Sequence, residues 1–136
     1  MTADMKGQVA IVTGAARGIG LGIARLLFQR GCKIVVWDRD LGPLKSDAGF
    51  VPARADAVDV ADYASVEKAF KAAAAEFGQI HILVNNAGIN GPILPTWDYP
   101  LEEWDRVVAI DMTSVFYASR LAARHMREHR YGRIVT

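Results

Sequence analysis

Cysteine is almost absent. Cys32 is the only one in 136 residues, so a disulfide within the chain is impossible. At the entrance to an apolar run, a lone thiol reads as a small buried hydrophobe rather than a nucleophile or metal ligand. An excess of one charge is missing too: 16 Lys and Arg against 15 Asp and Glu leave a net charge of +1, which gives no electrostatic case for a nucleic-acid partner. No apolar run approaches the roughly 18 residues of a membrane span. The opening Met1-Thr2-Ala3-Asp4-Met5-Lys6-Gly7 lacks the apolar core of a signal peptide. A cytoplasmic location without a membrane partner is the resulting expectation. Repeats and low-complexity linkers are also lacking, and the length suits one domain over residues 1–136.

What is present is apolar residues, at 51% of the chain, arranged in short runs. Val9-Ala10-Ile11-Val12 is closed by Thr13-Gly14, and Ile34-Val35-Val36-Trp37 is closed by Asp38. Continuous apolar character over so few residues predicts strands covered on both faces, hence a parallel sheet. Between them Ile19, Ile23, Leu26 and Leu27 recur at helical spacing, with Gly31 placed for a left-handed cap. Turn formers fill Leu41 to Gly49, so the second crossover is expected to hold only a stub of helix before a strand near Phe50 to Ala55. A helix is predicted from Asp62, its N-cap, to Phe77, with Val66, Ala69, Phe70 and Ala73 on one face and Gly78 as its stop. Strand four is placed at Ile80 to Val84. A long helix follows from about Pro100, in its first turn, to Arg127, with Trp104, Val107, Val108, Met112, Val115, Phe116 and Leu121 as a broad apolar face. After a break at Gly132, Arg133 to Thr136 opens a fifth strand.

Thr13-Gly14-Ala15-Ala16-Arg17-Gly18-Ile19-Gly20 lies where a buried strand meets a helix. Gly14 permits a sharp turn, Gly18 lets backbone approach a pyrophosphate, and Gly20 lets the helix pack closely. The N–H groups of the helix end and its dipole then face the anion. Three glycines alone also describe a plain βα turn. Asp38 adds context: at the end of the second strand, about 20 residues beyond the loop, a carboxylate can accept bonds from ribose hydroxyls, although an aspartate there also suits a solvated turn. A 2′-phosphate about 4 Å from it costs on the order of 4 kcal/mol per unit charge at an effective dielectric constant of 20. That repulsion favours NAD over NADP. Arg17 and Arg39 act the other way, since either can reach a 2′-phosphate, and NADP stays open.

The spacing Thr-Gly-x-x-x-Gly-x-Gly, followed by Asn85-Asn86-Ala87-Gly88 after strand four, resembles the short-chain dehydrogenase/reductase family of classical type. The likeness runs in order through the chain, adding Asp59-Val60 after strand three and Trp104 to Phe116 in the long helix. It implies a cofactor site of Gly14, Arg17, Gly18, Ile19, Gly20, Asp38, Asp59, Val60, Asn86, Ala87 and Gly88. Asp59 would accept a bond from the adenine amino group, Val60 would pack on the adenine, and Asn86, Ala87 and Gly88 would line the adenosine ribose and the sheet end. Asn85 is read as structural. In Ile110-Asp111-Met112-Thr113, Asp111 departs from the family's asparagine, which helps hold a proton-relay water. A carboxylate there cannot donate unless protonated; burial beside the nicotinamide would raise its pKa, and an aspartate satisfied within the helix is the other reading. No catalysis is assigned to it.

The resemblance also places the family's catalytic serine and Tyr-x-x-x-Lys pair beyond strand five. No tyrosine here substitutes: Lys68 follows Tyr63 one position too late, and Tyr99, Tyr117 and Tyr131 lack a lysine four residues on. No catalytic residue is therefore expected within the chain, which is read as truncated within or just after strand five. The expected fold is α/β, a Rossmann-type doubly wound parallel sheet of order 3-2-1-4-5, incomplete at its C-terminus. The expected function is the cofactor-binding portion of an NAD(P)-dependent oxidoreductase interconverting a secondary alcohol and a ketone. The whole protein is expected to be a homodimer or homotetramer assembled partly through the long helix. The alternative is a non-catalytic dinucleotide-binding or sensor module. An open fifth-strand edge and an apolar outer face on the long helix would make the segment alone prone to aggregate.

Overall fold

Five short parallel strands are arranged β3-β2-β1-β4-β5 in a computed structural model that describes residues 4–46 and 49–136. Met1 to Ala3, and Asp47 and Ala48 in the turn-rich segment, lie outside the described residues. The strands are β1 (Val9–Thr13), β2 (Lys33–Asp38), β3 (Arg54–Ala57), β4 (Ile82–Val84) and β5 (Arg133–Val135). Every residue of β1 is buried, as is β2 from Ile34 to Trp37. This is what an apolar run needs when helices cover both faces of a parallel sheet. Val9, Ile11, Val35 and Trp37 point into one core and Ala10, Val12, Ile34 and Val36 into the other.

On the second face α1 (Gly18–Gln29) and the stub α2 (Gly42–Lys45) cover the sheet. The end of α1 closes as the sequence predicts. Gly31 has φ +92°, its N–H donates to the Phe28 carbonyl, and the Cys32 N–H donates to that of Leu27, the paired bonds of a Schellman cap. Cys32 is buried, and burial pushes its thiol pKa up. On the first face lie α3 (Tyr63–Phe77), capped by the Asp62 carboxylate on the Ala64 N–H, and a long helical segment. That segment is α4 (Leu101–Val108), a π-helical turn over Ala109–Thr113, and α5 (Ser114–Glu128). No described helix is long and apolar enough to cross a membrane.

Several sequence expectations need correction. The strand expected near Phe50 begins instead at Arg54; Phe50 is buried in the loop before it, its ring edge-on to Phe28 at 5.5 Å. The fourth strand starts at Ile82, after a buried Ile80. Pro100 takes the N-cap position of α4 rather than its first turn, and the long helix runs from Leu101 to Glu128 as expected but includes a π turn. The apolar stripes are split between core and solvent: Ile23 and Leu27 of α1 and Leu121 of α5 pack against the cores, and the long helix carries the expected apolar outer face. Ile19 and Leu26 are 79% and 51% exposed, and α1 buries Gly20 and Ala24. Trp104, Met112 and Phe116 are each more than 60% exposed, while α5 buries Ser114, Ala118, Ala122 and Met126. Small residues one turn apart let a helix lie close on the sheet, and bulky neighbours are then turned outward.

The edge strand β3 is protected by charge. Arg54 donates to both Asp56 carboxylate oxygens at 2.8 and 2.7 Å and to Glu76 of α3 at 2.7 Å. Fork-shaped pairing of this kind ties the edge to the helix and discourages pairing with another strand.

Candidate functional site

The order in which strands are added reverses at β1, which has β2 on one side and β4 on the other. The register puts Thr13 beside Trp37 and Val12 beside Val84, so the carboxyl ends of these strands open on one crevice. Such a switch point is where open parallel sheets bind ligands. Here it is a cleft of about 460 Å³ lined by Gly14, Arg17, Asp38, Asp59, Val60, Asn86, Ala87 and Gly88 among the residues the sequence marks. Trp37, Arg39, Val58, Ile89 and Ile110 complete the lining. Gly18, Ile19 and Gly20, also marked, stand at the amino end of α1 rather than in that lining. A larger groove of about 910 Å³ lies between α3 and α5, bordered by Tyr63, Lys71, Arg120 and Arg124. It contains none of the marked residues, and its His125 binds Ile80 at the amino rather than the carboxyl end of β4.

The glycine turn is held from three sides. Gly14 has φ +64°, and a Cβ there would stand 2.9 Å from the Ala87 Cα. At Gly20 a Cβ would fall 2.2 Å from the Gly14 carbonyl oxygen, so the first turn of α1 rests directly on the loop. Buried Thr13 accepts the Asn86 and Ala87 N–H groups on Oγ1 at 3.0 and 2.9 Å. Asn86 replies through Nδ2, which donates to the Thr13 and Gly14 carbonyls at 3.1 and 3.2 Å. The third side is Asp38, whose Oδ2 accepts the Ala16 N–H at 3.0 Å while Oδ1 accepts that of Asp40 at 3.1 Å.

By contrast, α1 begins without help. Arg17 in its N-cap position is extended at φ −158° and makes no side-chain cap bond, and the first turn holds no acidic residue. Whereas Asp62 caps α3, the first N–H groups of α1 carry their partial positive charge outward. A Cβ at Gly18 would meet nothing within 4 Å, so the approach to them is open.

Across the cleft Asp59 is exposed at its rim, and its Oδ1 accepts the Ala61 N–H at 3.0 Å. Asn85 faces away, donating through Nδ2 to Ser119 and Thr136 hydroxyls at 3.1 and 3.3 Å. Asp111 lies in the π turn and is exposed, so the burial considered for it is absent. It is also not satisfied within its own helix: its Oδ1 accepts the Ile89 N–H at 2.8 Å, fastening the loop after Gly88 to that turn.

A family model described as short chain dehydrogenase matches residues 8–136. The chain belongs to the short chain dehydrogenase family. It is 37% identical over 130 residues to the 2-dehydro-3-deoxy-L-rhamnonate dehydrogenase (NAD(+)) of Sphingomonas sp., covering 95% of this chain and 52% of that protein. Among solved structures, an NAD+-bound xylitol dehydrogenase superposes with a TM-score of 0.91 at 33% identity, covering 97% of this chain and 53% of the other. A metagenomic short-chain oxidoreductase in complex with NADP gives 0.90 at 31% identity, over 97% and 62%. The chain thus spans about half the length of the curated relatives it matches.

Among these short-chain dehydrogenase features, the sequence reading missed Trp37 and Thr13. The sequence places Trp37 only in a strand, yet it reaches the cleft wall from a fully buried position, with no partner for its indole N–H among the described residues. Thr13 was visible as part of the motif, but its bonds join residues more than 70 positions apart, which local spacing cannot show. Thr13→Val keeps the shape and removes the acceptor. Two backbone N–H groups then lose their partner, at about 1–3 kcal/mol for each that stays buried. Because both sites are only partly buried, a stability loss of about 2 kcal/mol is expected, read from the denaturant midpoint with an unchanged slope.

Proposed function

We propose that this chain is the cofactor-binding portion of an NAD(P)-dependent oxidoreductase that interconverts a secondary alcohol and a ketone, with NAD as the preferred cofactor. The observation that carries the reading is the convergence on one cleft of an uncapped helix end, the Asp38 carboxylate and the Asp59-Val60 rim. The residues present fit such a cofactor. Its volume of about 460 Å³ falls within the roughly 300–1,000 Å³ usual for small-ligand pockets. The space beside Gly14 and Gly20, which a Cβ would fill, keeps the helix end close enough to receive an anion.

In this reading Gly14, Arg17, Gly18, Ile19 and Gly20 hold the pyrophosphate. Asp38 takes the adenosine ribose hydroxyls on lone pairs left beside the Ala16 and Asp40 N–H groups. Asp59 and Val60 receive the adenine, with Ala87 and Gly88 along the ribose. Asn86 acts through its backbone and by fixing the glycine turn, because its Nδ2 is already engaged. A bound nicotinamide dinucleotide supplies the hydride acceptor or donor. Asp111 positions the loop after Gly88 and moves no proton. General acid–base chemistry falls to the serine and Tyr-x-x-x-Lys of the family pattern, which residues 1–136, read as one domain, do not contain. Exposed Trp104, Met112 and Phe116 support a homodimer or homotetramer.

Titrating the whole protein with NADH while following its tryptophan emission tests the first half of this proposal, and saturable quenching is the expected result. A panel of secondary alcohols with NAD, followed by NADH absorbance, tests the second. Absence of saturation would overturn cofactor binding. Saturation without turnover of any alcohol or ketone would instead favour a dinucleotide sensor.

A further inference from the structure

At the end of the sheet opposite the cleft, two imidazoles serve as acceptors for buried backbone. The Val9 N–H donates to Nδ1 of His81 at 3.0 Å, and the His81 N–H donates back to the Val9 carbonyl at 2.9 Å. The carbonyl of His81 in turn accepts the Arg133 N–H at 2.9 Å. His81 thereby joins the first residues of β1, β4 and β5. From α5, Nε2 of His125 accepts the N–H of fully buried Ile80 at 3.1 Å. An imidazole nitrogen can accept an N–H bond only while it is unprotonated. The two bonds therefore fix neutral rings, with the proton on Nε2 in His81 and on Nδ1 in His125.

We infer that His81 and His125 form a proton-sensitive latch at the amino end of the sheet, closed while both rings are neutral and opened when they take up protons. A charged ring would aim a donor at a donor, breaking the rung between β1 and β4 and the tie between β4 and α5. The neighbourhood reinforces this. The His129 ring lies 4.2 Å from that of His125, and Tyr131 stands edge-on to His81 at 5.8 Å with Arg133 over the tyrosine ring at 5.1 Å. Glu128 next to His125 favours its protonation, but it is shared with Arg124 at 3.5 Å. Lys71 and Glu67 of α3, with Arg124 and Arg127 of α5, line the groove beside that ring. Burial, and then the charge of His129, push both imidazoles below their ordinary value.

The direction follows from linkage. With a folded pKa below the unfolded one, the unfolded chain binds more protons as pH falls under about 6.5. The contribution of the latch is complete above that value and is lost as pH drops through the folded pKa values. The test is urea unfolding of the whole protein between pH 8 and pH 5, comparing His81→Asn, His125→Gln and the double variant. Asn Oδ1 replaces Nδ1 and Gln Oε1 replaces Nε2, so each keeps an acceptor that cannot titrate. The wild type should take up more protons on unfolding than the double variant as pH falls through this window, with each single variant in between. NADH affinity at pH 8 should be unchanged throughout. Equal pH slopes in wild type and double variant would overturn the latch. Should a variant fail to fold, NMR titration of the wild-type rings decides instead: the latch requires both to titrate below the ordinary histidine value, and ordinary titration of either in the folded protein refutes it.

Discussion

Gly20→Ala is expected to weaken NADH binding by at least about tenfold, and to lower stability as well. The added Cβ would lie 2.2 Å from the Gly14 carbonyl oxygen, 2.9 Å from its carbon and 2.5 Å from Asn86 Nδ2. Two of these three neighbours are backbone, so no side-chain rotation relieves the contact, and α1 must lift from the turn it rests on. Overpacking costs typically 1–3 kcal/mol, and a clash with main chain places this substitution at about 3. Affinity suffers separately. If lifting the helix forfeits even one charge-assisted bond of about 1.5–3 kcal/mol, binding weakens by at least about tenfold.

Gly22→Ala is the matched control, two residues further along the same helix. A Cβ there meets nothing within 4 Å, so the substitution should leave NADH affinity alone and stabilise by about 0.5–1 kcal/mol through the lower chain entropy of alanine. Comparing the two by thermal unfolding and NADH titration separates the effect of a methyl group in that helix from the effect of where it lands. If Gly20→Ala bound NADH like the wild type, the close rest of α1 on Gly14 would not be what forms the site.

The unit from β1 through α1 to β2 was legible in the sequence because everything that specifies it is local. Two apolar runs are bounded by glycine and aspartate, Gly31 closes the helix between them, and Asp38 follows at once. The order of the sheet came from a resemblance whose motifs lie at strand ends. What the sequence hid is of two kinds. Periodicity finds an apolar face but ranks Leu, Trp and Met above Ala. It therefore marks Leu26, Trp104 and Phe116 as apolar faces of their helices, whereas Ala24, Ala118 and Ala122 are the residues buried against the sheet. Close packing against a parallel sheet selects for smallness, which hydropathy does not measure. The π turn at Ala109–Thr113 and the bonds from Thr13 to Asn86 and Ala87 arise from contacts between distant segments. Asp111 shows the consequence: its sequence position raises a question about proton relay, and the bond it accepts comes from Ile89, in a loop 22 residues away.

Asp38→Asn is expected to collapse a preference for NADH over NADPH. With the carboxylate in place, a 2′-phosphate about 4 Å away meets a repulsion on the order of 4 kcal/mol per unit charge at an effective dielectric constant of 20. Asp38 is only half-buried, and Arg17 and Arg39 line the same cleft. Screening and those cations reduce the difference to about 1.5–3 kcal/mol, or roughly tenfold to a hundredfold in relative affinity. Removing the charge should bring the two cofactors within a few-fold. The structure separates this from a second role, because the same carboxylate accepts the Ala16 N–H at 3.0 Å and the Asp40 N–H at 3.1 Å. Asparagine retains one acceptor oxygen and alanine none. Asp38→Ala should therefore weaken both cofactors as the glycine turn loosens, whereas Asp38→Asn should mainly raise NADPH affinity. Arg39→Ala should move the ratio the other way. Paired NADH and NADPH titrations of these three variants decide the matter: tighter NADPH binding by the wild type would mean that the arginines, not Asp38, set the cofactor.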